Sequence, residues 1–304
     1  MTNLVFFGSS KYAAQVLAAL VKDGRYNVSL VVTQPDAPAG REQKLTPTVV
    51  ATFVEAMPAS PTIIKPSSLN GINDINVIKI IKDLAPTVGV MLDYGLLIPK
   101  EIIDLFPEGI INLHTSLLPR HRGAIPAVST ILEGDKVTGI TIIKINERFD
   151  QGEIIAQEEE AVLQDDVPAA LYERLFKKAI TLLLKVLPEY FARKVTPHPQ
   201  IGRGGPYEKR LTKASGQIDW QKDDAYLERF VRAMTPWPGA WTTVAELQNR
   251  FSNPPTPRNP STSTQTVKIL KAKLNAQGRL EIIEVQLEGK GPTTWQAFKN
   301  GYLK

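Results

Sequence analysis

The chain contains no cysteine. That removes disulfides, thiolate nucleophiles and Cys-ligated zinc from consideration, and it fits a reducing compartment. Histidine is also scarce: His114, His121 and His198 are the only imidazoles in 304 residues. No set of metal ligands stands at zinc-site spacing, so no metal is expected. No apolar run approaches the ~20 residues needed to cross a bilayer. The opening Met1–Gly8 segment has no basic residue, and its apolar run is too short to read as a secretory signal. The expected location is therefore the cytoplasm, with no membrane partner. A hydrophobic fraction of 43% and a charged fraction of 22% are those of an ordinary globular protein. The length suggests about two domains.

The net charge of +5 is unevenly spread. Residues 207–304 hold 15 Lys and Arg against 9 Asp and Glu, a balance of +6, which leaves residues 1–206 at −1. A solvated lysine-rich surface is the plain reading. A polyanion contact is the sharper one, because phosphate neutralisation supplies most non-specific nucleic-acid affinity.

Short apolar runs alternate with helical patterns over the first 150 residues. Leu4–Phe7, Val28–Thr33, Thr62–Ile64, Thr87–Leu92 and Gly109–Leu113 read as strands. Tyr12–Lys22, Pro47–Glu55, Asp74–Asp83 and Lys100–Leu105 read as helices between them. This alternation predicts βαβ units and an α/β fold with a doubly wound, mostly parallel sheet. Thr138–Ile145 and Glu153–Glu160 add two strands. Ala169–Leu187 reads as a long closing helix that Pro188 ends. The expected division is a domain over 1–191, a linker over 192–206 with three prolines and three glycines, and a second domain over 207–304. In the last, Leu227–Met234 reads as a helix, and Trp241–Val244, Val267–Ala272 and Leu280–Val285 as strands. Asn253–Thr266, rich in Pro, Ser and Thr, reads as a loop.

The densest chemistry lies in Asn112-Leu113-His114-Thr115-Ser116-Leu117-Leu118-Pro119. Alternate strand residues share a face, so Asn112 and His114 project together from a strand end. That is where open α/β sheets build sites. Asn112 offers an amide donor that does not ionise. His114 can donate as an imidazolium or relay a proton. Asp150, in the Asp150-Gln151-Gly152 loop after a later strand, is the carboxylate that would orient His114 and hold its charged form. His121 reads as a contact or surface group and His198 as solvated. Gly8-Ser9-Ser10 lacks G-x-G-x-x-G and reads as a tight strand-to-helix turn.

These residues, with the Asp-x-Gly that follows, resemble the 10-formyltetrahydrofolate-dependent formyltransferases. The likeness extends to Leu4-Val5-Phe6-Phe7-Gly8, Thr33-Gln34-Pro35-Asp36, Asp93-Tyr94-Gly95-Leu96-Leu97-Ile98-Pro99-Lys100, Gly216-Gln217-Ile218-Asp219-Trp220 and Pro236-Trp237-Pro238-Gly239-Ala240-Trp241. The resemblance implies catalytic roles for Asn112, His114 and Asp150, and a tetrahedral centre whose oxyanion needs fixed donors. It implies a folate contact at Ser116, Leu117, Leu118 and Pro119, with Asp93, Tyr94 and Gly95 facing the same crevice. It favours the family branch that formylates the amino group of methionyl initiator tRNA, and so gives folate and tRNA as partners of an expected monomer. It likens the second domain to a small OB-like β-barrel that binds tRNA. Lys271–Arg279 joins two strands directly, which suggests an abridged barrel. Arg41 and Lys44 sit in a loop that resembles a basic tRNA wedge, here carrying Ala37, Glu42 and Gln43 and so fewer positive charges. Two alternatives stand beside this: a formyltransferase for a sugar-nucleotide amine, and a non-catalytic RNA-binding protein on the same scaffold. A glycinamide-ribonucleotide enzyme would lack the second domain.

Overall fold

The computed structural model describes residues 1–40, 42–69, 72–202, 204–251 and 263–303. The N-terminal elements run β1 (Thr2–Gly8), α1 (Lys11–Asp23), β2 (Tyr26–Val32), the short strands β3 (Ala37–Ala39) and β4 (Lys44–Thr46), α2 (Val49–Glu55), β5 (Thr62–Ile64), α3 (Ile72–Leu84), β6 (Val88–Leu92), α4 (Lys100–Ile103), β7 (Ile110–His114), α5 (Pro126–Glu133), β8 (Val137–Lys144), β9 (Glu153–Ala161) and α6 (Pro168–Phe191). Seven strands form one sheet in the order β5-β2-β1-β6-β7-β8-β9. Pairings from β5 through β7 are parallel, and β8 returns antiparallel on β7. The winding runs outward from β1 to β5, then restarts at β6 on the other side of β1. The switch point therefore lies between β1 and β6, and the crevice at their C-terminal ends is the natural ligand position.

Hydrophobic burial anchors these strands. Val5, Phe7, Leu30, Val32 and Ile110 are almost completely buried in one cluster. Phe7 meets Tyr94 and Phe106 edge-on at 5.6 and 6.1 Å, contacts each worth about 0.5–1.5 kcal/mol beyond area burial. The turn after β1 is tight, as read. A Cβ at Gly8 would lie 2.7 Å from the Ala13 Cβ and 2.9 Å from the Leu92 carbonyl oxygen. Ser10 caps α1 by accepting from the Ala13 amide and donates to Asp93 Oδ2 at 2.7 Å.

Helix α6 departs from expectation at its end. It continues through Pro188 to Phe191. A proline there removes the amide that would bond the Leu184 carbonyl. Arg25 supplies the missing donor: its Nη2 bonds Leu184 O at 3.0 Å while Asp23 Oδ2 holds the same nitrogen at 2.6 Å.

The chain then forms α7 (Asp224–Ala233), β10 (Ala240–Thr243), α8 (Val244–Phe251), β11 (Thr266–Leu274), β12 (Leu280–Leu287), β13 (Pro292–Thr294) and α9 (Trp295–Phe298). Among the described residues this region holds one antiparallel sheet, ordered β10-β11-β12-β13. β11 and β12 are joined directly through Asn275–Arg279, where the Asn275 side chain accepts from the Gln277 and Arg279 amides. Val244, expected in a strand, begins α8 instead. Thr243 and Glu246 exchange side-chain-to-backbone bonds as a capping box, which starts a helix at that point. Most of the Asn253–Thr266 loop lies outside the described residues.

Two compact units are built from non-contiguous pieces. One comprises Met1–Arg122, Gly139–Glu160 and Arg174–Pro206. The other comprises Gly123–Thr138, Ala161–Glu173 and Tyr207–Lys304. No helix among the described residues is long and apolar enough to cross a membrane.

Candidate active site

Strand β7 is buried along its whole length. Its last residues carry polar side chains into that interior: Asn112 is 7% exposed and His114 5%. Asn112 pairs with Met91 of β6 on one side and Ile143 of β8 on the other. His114 is the final residue of the strand, opposite Thr141. The alternation read from sequence therefore holds, and both side chains stand at the C-terminal edge of the parallel strands.

Asp150 arrives from the turn between β8 and β9. Its Oδ1 lies 3.7 Å from His114 Nδ1. That is beyond hydrogen-bond length but within ion-pair range. The other ring nitrogen is committed: Nε2 lies 2.8 Å from the His121 carbonyl oxygen. A carbonyl only accepts, so Nε2 carries the proton and donates. Nδ1 is then the nitrogen whose protonation can change, and it faces the carboxylate. Sequence alone left these two nitrogens undistinguished. His121, read as a contact or surface group, is 8% exposed, and its backbone carbonyl meets His114.

Asp150 adopts a left-handed backbone, φ 53°, a conformation Asp tolerates better than most residues. Gly152 makes the turn possible. A Cβ at Gly152 would lie 1.9 Å from the Lys144 carbonyl oxygen, so the chain passes too close to the end of β8 for any other residue. Gln200 Nε2 donates to the Asp150 and Gly152 carbonyls at 2.8 and 2.9 Å. Gln200 lies in the segment expected to be a linker. That segment is tied down on β9, where His198 and Ile154 exchange backbone bonds at 2.8 and 3.0 Å. The His198 side chain is exposed, as read.

A narrow cleft opens beside the cluster. Asn112 and Asp150 contribute polar groups. Met91, Leu96, Leu97 and Ile98 form one apolar wall, and Ile145 and Phe149 part of another. Among the described residues the Asn112 carboxamide makes no hydrogen bond, which leaves its donors available to a ligand.

The remaining candidates fall around the cleft rather than in it. The Tyr94 ring is 1% exposed and points into the core against Phe7. Burial pushes its phenol well above the usual value, so it stays protonated. Asp93, with φ 47°, bonds Ser10, and Gly95 turns the chain at φ 81° so that Leu96 and Leu97 reach the cleft. Ser116 is fully buried and donates to the Arg120 carbonyl at 2.6 Å. Leu118 packs with Ile143 and Ile154. Its backbone is held on both sides, by Thr141 Oγ1 at 3.0 Å and by Gln157 Nε2 at 3.0 Å. Leu117 and Pro119 are half-buried. Lys44 is exposed on β4, paired with Ala39 in a hairpin whose base is pinned by Lys65 and Asp36 at 2.7 Å. Arg41 lies outside the described residues. Among those described, no group of three or more His, Asp or Glu is arranged to hold a metal ion.

The family model described as formyl transferase matches residues 2–187, and that described as formyl transferase, C-terminal domain, matches residues 210–303. The chain is 34% identical over 308 residues to the methionyl-tRNA formyltransferase of Enterococcus faecalis, covering 99% of this chain and 96% of that one. It is 35% identical over 309 residues to the protein of the same name from Roseiflexus castenholzii, with 98% and 96% covered. Among solved structures, methionyl-tRNA formyltransferase from Clostridium thermocellum superposes with a TM-score of 0.56 at 16% identity, covering 96% and 100%. An N-formyltransferase from Helicobacter canadensis, solved with folinic acid and dTDP-3-aminofucose, gives 0.61 at 17% identity, covering 90% and 88%. At these identities the structural matches speak for the fold alone.

Proposed function

We propose that this chain, which belongs to the formyl transferase family, transfers a formyl group from 10-formyltetrahydrofolate to the amino group of methionyl initiator tRNA. The observation that carries the choice of acceptor is the full-length identity of about one third to proteins named methionyl-tRNA formyltransferase. Relatives with sugar-nucleotide ligands are matched at the level of fold.

The cleft suits a folate. A flat heterocycle needs an apolar slot with a few fixed polar groups, and Met91, Leu96, Leu97 and Ile98 offer such a wall beside Asn112 and Asp150. In this reading the Asp93-Tyr94-Gly95 turn and the Ser116–Pro119 segment shape the slot, the first by delivering Leu96 and Leu97 and the second by fixing the chain after His114. The cosubstrate supplies an electrophilic formyl carbon. The Asn112 amide donates to the charge that develops on the formyl oxygen, the role that fixed donors fill in acyl transfer. His114 Nδ1 takes a proton from the attacking amine and returns it to the departing nitrogen. Asp150 stabilises the imidazolium while the proton is held there, and the His121 carbonyl keeps Nε2 protonated throughout. No step requires a metal.

The tRNA would be met by residues 207–304, with their +6 balance, by Lys44 on β4, and by Arg41, which lies between β3 and β4 in the sequence. A cytoplasmic, monomeric enzyme is the corresponding proposal for its setting. The test is to supply purified protein and 10-formyltetrahydrofolate with either methionyl-tRNA or amino-sugar nucleotides. Formylation of methionyl-tRNA supports the reading. Formylation confined to the sugar nucleotide would transfer the site to a small-amine acceptor.

A further inference from the structure

We propose that Gln200 is a positioning residue of the formyl-transfer site, linking Arg122 to the Asp150–Gly152 turn and so setting the approach of Asp150 to His114; this rests on the function proposed above. A closed circuit carries the inference. His114 Nε2 donates to the His121 carbonyl at 2.8 Å. Arg122, the next residue, donates through Nε and Nη2 to Gln200 Oε1 at 3.0 and 2.6 Å. Gln200 Nε2 donates to the carbonyls of Asp150 and Gly152 at 2.8 and 2.9 Å. Asp150 Oδ1 then faces His114 Nδ1 at 3.7 Å. Both partners of the imidazole, the carbonyl that fixes one nitrogen and the carboxylate that faces the other, are thus tied to one side chain. All six residues belong to the same compact unit.

The side-chain chemistry is selective. Two carbonyls require two donors from one atom, and the guanidinium requires an acceptor on the other. A primary carboxamide supplies both ends. A carboxylate would serve Arg122 but set negative oxygens against the two carbonyls. An alanine would serve neither. The anchor is also rigid, because the His198–Ile154 backbone pair holds the segment two residues before Gln200. Of these residues only Asp150 itself lines the cleft. Gln200 should therefore govern turnover while leaving substrate affinity alone.

The experiment compares full-length wild type, Gln200→Glu and Gln200→Ala. It measures kcat and KM for methionyl-tRNA and the folate, folinic acid binding by calorimetry, thermal melting, and the ring-nitrogen resonances of His114 in ¹⁵N-histidine-labelled protein, assigned with His114→Gln. Gln200→Glu is expected to lower kcat by roughly ten- to a hundredfold, the scale of a misplaced catalytic group. KM and folinic acid affinity should stay within about twofold, and the His114 resonances should move. Added to Asp150→Ala, the same substitution should cost nothing more. Unchanged kcat, an equal loss in the Asp150→Ala background, or unmoved His114 resonances would overturn the proposal. The resonances report without any acceptor. If wild type fails to formylate methionyl-tRNA while Gln200→Glu still shifts His114, the assigned reaction is wrong and the positioning role stands.

Discussion

Replacing Gly152 by alanine places a methyl group where the backbone of β8 already lies. The new Cβ would sit 1.9 Å from the Lys144 carbonyl oxygen, against the roughly 3.3 Å at which carbon and oxygen ordinarily meet. The two backbones must separate by about 1.4 Å, and neither is a flexible side-chain end. Gly152 is two residues from Asp150 and shares its Gln200 clamp. If the turn takes up the whole displacement, the separation of 3.7 Å between Asp150 and His114 grows to about 5 Å. At an effective dielectric of about 20 the attraction between carboxylate and imidazolium then weakens by about 1.2 kcal/mol, roughly sevenfold in rate. Misorientation by about 1 Å adds up to ~10²-fold. The expected loss in kcat is therefore about 10²-fold. The assay is steady-state formyl transfer at saturating methionyl-tRNA and folate, with a melting curve to show that the variant is folded. A folded Gly152→Ala protein with kcat within about threefold of wild type would refute the claim that this close approach sets the Asp150 turn.

Other consequences are open to similar measurement. Asn112→Ala should lower turnover by roughly 10²–10³, the cost of one lost oxyanion donor, and a near-normal rate would return Asn112 to a purely structural part. Lys44→Ala and Arg41→Ala should each raise the KM for methionyl-tRNA at low salt, leave folinic acid binding unchanged by calorimetry, and flatten the log–log salt dependence of tRNA affinity by about one unit. Arg25→Ala should lower stability by about 1 kcal/mol, measured by urea unfolding, because the Leu184 carbonyl exposed by Pro188 loses its donor. Much of the exposed Arg25–Asp23 ion pair should contribute little to that figure.

The legible parts of the sequence were those governed by periodicity. The strand positions of Asn112 and His114 followed from alternation after an apolar run, and the parallel sheet from strand–helix alternation. Asp150 needed the family resemblance, because a carboxylate in a loop has no periodic signature. The missed features share a physical cause. The His121 carbonyl and the clamp on Asp150 act through backbone groups, which residue type does not reveal. Gln200 sat in a Pro- and Gly-rich stretch whose composition reads as linker, while its fold is fixed by pairing with β9. Helix α8 did carry a signal: Thr243 and Glu246 have capping-box spacing, and Val244, Leu247 and Phe251 recur at helical intervals. Pro188 misled in the opposite sense, since the end of a helix depends on whether another residue can serve the orphaned carbonyl.

The central claim is that Asn112, His114 and Asp150 act together on an amine carried by tRNA. The most direct measurement is the single-turnover rate of formyl transfer to methionyl-tRNA by wild type, His114→Ala, Asp150→Ala and the double variant. If the carboxylate works through the imidazole, the double variant should be no slower than His114→Ala, as for residues that act as a unit. Additive losses, or a His114→Ala enzyme that transfers the formyl group at the wild-type rate, would contradict the account.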